Sequence, residues 1–141
     1  MSQTDPVLGL KLPATEGSVA QFQEHAVSQA SSLDPGTRQK VELVLEEVLI
    51  NVISYAYPPE CPGWIELLCL HEPARFSVII TDSGKPFDPL ETEPPDLSLD
   101  VEEREIGGLG IHLVRQMTDH AEYARKDEKN VITLGWELGL P

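Results

Sequence analysis

The run EEVLINVISYAYP, Glu46 to Pro58, sets two adjacent carboxylates and one asparagine into a stretch that is otherwise mostly apolar. Packing alone would be served by leucine at those positions. On a helix turning about 100° per residue, Val41, Leu45, Val48, Val52 and Ala56 form one apolar stripe, widened by Val44, Leu49 and Tyr55. Asn51 falls at a margin of that stripe and Glu47 about 40° further round, one turn earlier. Glu47 and Asn51 can therefore act on a common ligand. Glu46 lies on the opposite flank, about 140° from Asn51, and is expected to take no part. Alone, the pair reads better as a solvated helix glutamate beside a border amide bonded within the core.

Two further stretches carry chemistry. TDSGKPFDP, Thr81 to Pro89, leaves Asp82 at the end of a strand with Gly84 two residues on. A carboxylate there could accept a hydrogen bond from a purine amine, and a missing side chain at Gly84 would let a flat base approach. GGLGIHLV, Gly107 to Val114, brings glycines up to a helix start, where unblocked backbone amides suit phosphate oxygens. It lacks the lysine of a Walker loop and the spacing of a dinucleotide fingerprint. Taken singly, the first reads better as an ordinary D-S-G turn, and the second can be a flexible hinge ending the long loop.

The elements that must position these groups follow from periodicity and breakers. Val7 to Ala14 alternates as an edge strand does, and a helix is predicted from about Ser18 to Ser32. Asp34 can cap a second helix with Pro35 in its first turn; that helix runs from Thr37 to about Tyr57, where Pro58-Pro59 stop it. Trp64–Glu72 and Arg75–Asp82 read as a hairpin. Ser83 to Glu105 is rich in Pro, Asp and Glu and is predicted as a long, irregular, mobile loop. A helix ending near Asp119 and a second hairpin, turning near Asp127 to Asn130, close the chain. Strand, two helices, two strands, loop, helix, two strands is an α+β order. It predicts a two-layer sandwich: a mixed, mostly antiparallel sheet with helices on one face.

Composition narrows the function classes. The 141 residues fit one domain. Ten basic residues against 24 acidic ones give a net charge of −14, little material for a surface that tracks nucleic-acid phosphates. No direct nucleic-acid or membrane partner is therefore expected. No run reaches the length of a transmembrane helix, and the first residues lack the pattern of a secretion signal, so the expected location is cytoplasmic. Cys61 and Cys69 fit no metal or redox spacing and read as reduced thiols, and the four histidines suggest no zinc site.

Together and in this order, E-x-x-x-N, D-x-G-x-P-F-D and G-G-x-G-[IL] resemble the GHKL ATPase superfamily (Bergerat fold) of gyrase-type ATPases and histidine kinases. Within it, the wording is most similar to the small RsbW/SpoIIAB-like anti-sigma factor serine kinases, over nearly all of the chain. The resemblance implies ATP and Mg2+ as cofactors. Asn51 matches the magnesium-binding asparagine and Glu47 the general base for the acceptor hydroxyl. Asp82 matches the adenine-reading aspartate, with Gly84 beside the base. Gly108 and Gly110, with Leu109 between them, match the phosphate-contacting glycines that follow an ATP lid at about 90–106. Arg104 stands where the family often has a basic residue; it could reach phosphate, or pair with Glu102, Glu103 or Glu105. The sequence departs from the family at Tyr55, where a histidine is common, and in the strongly acidic lid.

The implied function is a serine/threonine protein kinase that phosphorylates a STAS-domain anti-sigma factor antagonist and, when released, binds a sigma factor. A tendency to form a homodimer is implied too, with the first strand and helix as candidate surfaces. The alternative is an ATP-binding partner switch with little or no transfer, against which Glu47 argues. The ATP-binding part of a histidine kinase is disfavoured, since no phospho-acceptor helix pair precedes the motifs.

Overall fold

The structure, a computed structural model, describes residues 9–91 and 108–139. Its elements are β1 (Gly9–Pro13), α1 (Glu16–Gln29), α2 (Pro35–Tyr55), β2 (Trp64–Glu72), β3 (Arg75–Asp82), α3 (Gly108–Met117), β4 (His120–Lys126) and β5 (Lys129–Glu137). Their kind and order are those expected from the sequence, with ends displaced by a few residues. The Asp34 cap is made: its carboxylate accepts from the Thr37 amide at 3.0 Å and the Thr37 hydroxyl at 2.7 Å. Because Pro35 supplies a fixed φ and needs no amide partner, α2 starts there rather than at Thr37. Its regular turns end at Tyr55, three residues before Pro58.

The five strands form one sheet in the order β1-β2-β3-β5-β4. Every pairing among the described strands is antiparallel, which corrects the expectation of a mixed sheet. The reason is topological. The chain leaves β3 through α3, sets β4 down as the far edge, and returns β5 through a tight hairpin into the gap. β3 and β4, which run the same way, are therefore separated by β5 and never touch. The hairpin has a two-residue loop, Asp127-Glu128, with φ of 51° and 62° at its two residues. Paired positive φ angles match the right-handed twist of the strands they join.

Burial alternates along β2, where Ile65, Leu67 and Cys69 point into the core and Trp64, Glu66, Leu68 and Leu70 are half-exposed. One face is thus covered by the helices, as period-two patterning requires. Helix α2 packs between α1 and α3, and its Val41, Val44, Leu45, Val48, Leu49 and Val52 are buried along the stripe read from sequence. Burial pushes the Cys69 thiol up to about 12, so it stays protonated, and neither cysteine is bridged. Among the described residues no helix is long and apolar enough to cross a membrane.

Candidate nucleotide site

The α2 pair forms as the helix phase dictates. Asn51 is 6% exposed, and its Nδ2 donates to the Glu47 main-chain oxygen at 2.7 Å. Only the nitrogen end of an amide can donate to a carbonyl, so this bond orients the side chain and turns its oxygen end outward from the helix backbone. Glu47 is half-buried. Burial raises its carboxyl above the ordinary glutamate value, and the neighbouring Glu46 charge adds to the shift.

Glu46 differs from the expectation. It is exposed while Asn51 is buried, as their 140° separation requires. Yet Glu46 and Glu47 line the same groove between α2 and α3, which Asn51 does not. Consecutive helix positions differ by only about 100°, so one broad groove takes both carboxylates. Glu46 thus acts on Glu47 as a like charge, although it is remote from Asn51.

Asp82 closes β3 and is 1% exposed. Its Oδ1 accepts from the Gly84 amide at 2.8 Å and from Asn130 Nδ2 at 2.9 Å. Its Oδ2 is buried and has no hydrogen-bond partner among the described residues. Burial raises the carboxyl above the ordinary aspartate value, while the bonds from Asn130 and Gly84 and the Arg125 charge pull the other way. A buried carboxylate oxygen left unpaired is costly unless a ligand donor completes it. The exocyclic amine of adenine has that chemistry.

Gly84 is also needed for a reason the sequence does not show. A Cβ there would collide with the carbonyl oxygen of Ala56, and the Lys85 amide donates to that same oxygen at 3.0 Å. The glycine lets the turn after β3 press against the end of α2, bringing the Asp82 and Asn51 segments together. Tyr57 adds a second link, donating to the Trp64 carbonyl at 2.7 Å and accepting from the Ser83 amide at 2.8 Å. Tyr55, at the position where the family often has histidine, sets its ring 5.4 Å from that of Phe87.

In the sequence Asn130 reads as no more than the edge of a turn. It is fully buried, opposite Asp82 in the β3–β5 register. Besides its bond to Asp82, Nδ2 donates to the Lys85 carbonyl at 2.8 Å. Its Oδ1 accepts from Tyr123 at 2.6 Å, Arg125 at 3.1 Å and the Phe87 amide at 3.2 Å. Arg125 also donates to the Gly84 carbonyl at 2.8 Å. No local signal marks Asn130; only the strand register reveals it.

The segment after Asp82, expected to be irregular and mobile, is pinned over its first nine residues. Asp88 Oδ1 accepts from the Leu90 amide at 2.8 Å, and Arg115 of α3 donates to the Leu90 carbonyl through Nε and a terminal nitrogen. Leu90, expected to open the lid, is buried. The remainder of the lid, with Arg104, lies outside the described residues. Gly108, Leu109 and Gly110 form the first turn of α3, so their main-chain amides include the unpaired donors of a helix start.

An asparagine oxygen is the hard donor that Mg2+ accepts, and this ion commonly takes one or two protein ligands alongside substrate phosphates. Asn51 fits that role without a carboxylate cluster.

A family model described as a histidine kinase-like ATPase domain (HATPase_c_2) matches residues 12–136. The serine/threonine-protein kinase BtrW of Bordetella bronchiseptica is 28% identical over 134 residues, covering 95% of this chain and 94% of that protein. The serine-protein kinase RsbW of Listeria monocytogenes is 30% identical over 86 residues, covering 57% of this chain and 54% of that protein. Since the family model takes in most of the chain, from β1 to β5, the protein belongs to the histidine kinase-like ATPase domain family.

Proposed function

We propose that the protein is an ATP-dependent serine/threonine protein kinase of a cytoplasmic partner switch. Its acceptor is a STAS-domain anti-sigma factor antagonist, and its other partner is a sigma factor, bound by a homodimer. The observation that carries the nucleotide half is the buried Oδ2 of Asp82, unpartnered among the described residues, in a family described as ATPase domains. Glu47, and the similarity to two proteins named as serine or serine/threonine kinases, favour transfer over binding alone.

In this mechanism Asp82 Oδ2 accepts from the adenine amine. The first-turn amides of α3, Gly108 to Gly110, face the phosphates, with Arg104 as a further phosphate ligand. Asn51 would hold Mg2+, which supplies positive charge at the phosphate oxygens when bound. Glu47 accepts the proton of the acceptor hydroxyl as its oxygen bonds to the γ-phosphorus. The bond from that phosphorus to the bridging oxygen breaks and ADP leaves. A raised Glu47 pKa suits a base working near neutral pH, because a more basic carboxylate takes the proton more readily.

The test is to incubate the protein with magnesium, γ-labelled ATP and a STAS-domain protein encoded beside its gene. Label should appear on a serine or threonine of that protein. Glu47→Gln should lower the rate by about 10²- to 10⁴-fold with ATP affinity kept. Intact ATP binding without any label on the partner would leave only the nucleotide-gated partner switch.

A further inference from the structure

Beyond the residues assigned to ATP, the groove between α2 and α3 has a volume of about 270 Å³. Neither Asn51, Asp82 nor Gly84 lines it, and its walls are apolar except for Glu46 and Glu47. Leu43 on α2 and Leu113 on α3 face it while 44% and 48% exposed. They are two of the three large hydrophobic side chains exposed among the described residues. Two half-exposed leucines on facing helices are what a helix pair presents when an apolar side chain from elsewhere completes the packing.

We propose that this groove seats the segment of the acceptor protein next to its reactive hydroxyl. An apolar side chain enters between Leu43 and Leu113, and a lysine or arginine lies against Glu46. The inference rests on the kinase reading, because Glu47 joins the two places. A hydroxyl delivered to Glu47 must arrive with its neighbouring residues over the groove that Glu47 lines. Charge selects the occupant: both charged groups on the walls are carboxylates, on a chain of net charge −14. A second copy of this chain would bring like charge to that rim, whereas a basic, apolar-bearing segment complements it. Glu46 thereby becomes a specificity determinant of the acceptor.

The experiment uses the full chain with a purified STAS-domain protein as probe. Leu43→Ser/Leu113→Ser and Glu46→Lys are compared with wild type, with Tm confirming the fold at these exposed positions. Binding of the probe is titrated by calorimetry in a Glu47→Gln background, so that affinity is read independently of transfer. Both variants should weaken probe binding by about tenfold or more. The double leucine variant should also raise KM for the probe to a similar degree, with kcat at saturation and ATP affinity within about twofold of wild type. Unchanged probe affinity and KM overturn the proposal. So does a change in ATP affinity alone, which would assign the groove to residues 92–107 of the same chain. Loss of self-association alone, seen by sedimentation, would assign it to a second copy and overturns it too. A wild type that binds the probe without labelling it ends the kinase reading, while the affinities of the variants still decide docking. If the probe is neither bound nor labelled, both fall.

Discussion

Asn130 Nδ2 lies 2.9 Å from Asp82 Oδ1, directly across the β3–β5 ladder, and the same side chain also bonds the Lys85 carbonyl and the Phe87 amide in the segment that follows Asp82. One buried amide thus holds the carboxylate by one oxygen and leaves the other for a ligand. This bond gives Asp82 a fixed direction.

Asp82→Asn should separate binding from stability. The amide oxygen can still accept from Gly84 and Asn130, but the buried negative charge is gone. Loss of a charged acceptor costs about 1.5–3 kcal/mol, so ATP affinity, measured by calorimetry, should fall about 10- to 150-fold. Stability at pH 7 should rise. The folded-state pKa of Asp82 lies above its unfolded value, so its ionisation destabilises the fold as pH increases through that interval. The gain in Tm over wild type should accordingly narrow as the buffer is made acidic.

Asn130→Ala removes the partner of Asp82, the Lys85 carbonyl, Tyr123 and the Phe87 amide at once. Buried groups left unpaired cost about 1–3 kcal/mol each when water cannot replace the bond. The unfolding free energy from urea titration should drop by at least that much, and ATP affinity should fall with it although Asp82 is intact. Unchanged ATP affinity would show that Asp82 holds its orientation without help.

The acid limb of the phosphotransfer rate should report Glu47. Its carboxyl is raised first by burial and then by the charge of Glu46, so activity should decline at a pH above the ordinary glutamate range. Glu46→Gln deletes the second cause and should move that midpoint downward. Labelling rates measured from pH 4 to 8 at saturating acceptor provide the comparison. A midpoint that stayed in place would mean that Glu46 does not act on Glu47 in solution.

Asp127 and Glu128 both occupy the left-handed region, at φ of 51° and 62°. Non-glycine residues pay roughly 1–2 kcal/mol for that conformation. Replacing the pair by Asn-Gly should raise Tm by several degrees, leaving ATP affinity unaltered. A lower Tm would show that the charged side chains contribute something the backbone argument omits.

Gly84→Ala should destabilise by about 1–3 kcal/mol, since its Cβ meets the main chain of Ala56 rather than a yielding side chain. Chemical denaturation gives the stability change. ATP binding should weaken as well, because the turn carrying Asp82 would be pushed from the end of α2.

Much of the fold was legible in the sequence because it rests on local signals. The stripe on α2, the Asp34-Pro35 start, the Pro58-Pro59 stop and the alternation in β2 each report their own element. The same phase argument paired Glu47 with Asn51, one turn apart, and separated Asn51 from Glu46. It failed to separate Glu46 from Glu47 because a groove's width is set by the neighbouring helix, and helical angle contains no information about α3.

What the sequence by itself determined, then, was the kind and order of the elements, the α2 pair, and the three motifs by which the chain is placed in its family. Tertiary structure alone decided the rest. Asn130 became a partner of Asp82 only because β5 inserts beside β3 in one register, across 48 residues of chain. Gly84 proved necessary because the end of α2 lies against it, and Arg115 reached Leu90 because α3 packs over that turn. Periodicity and capping act over a few residues and can be read along the chain. Register, close approach and shared grooves are relations between distant segments, and they exist only once those segments are packed.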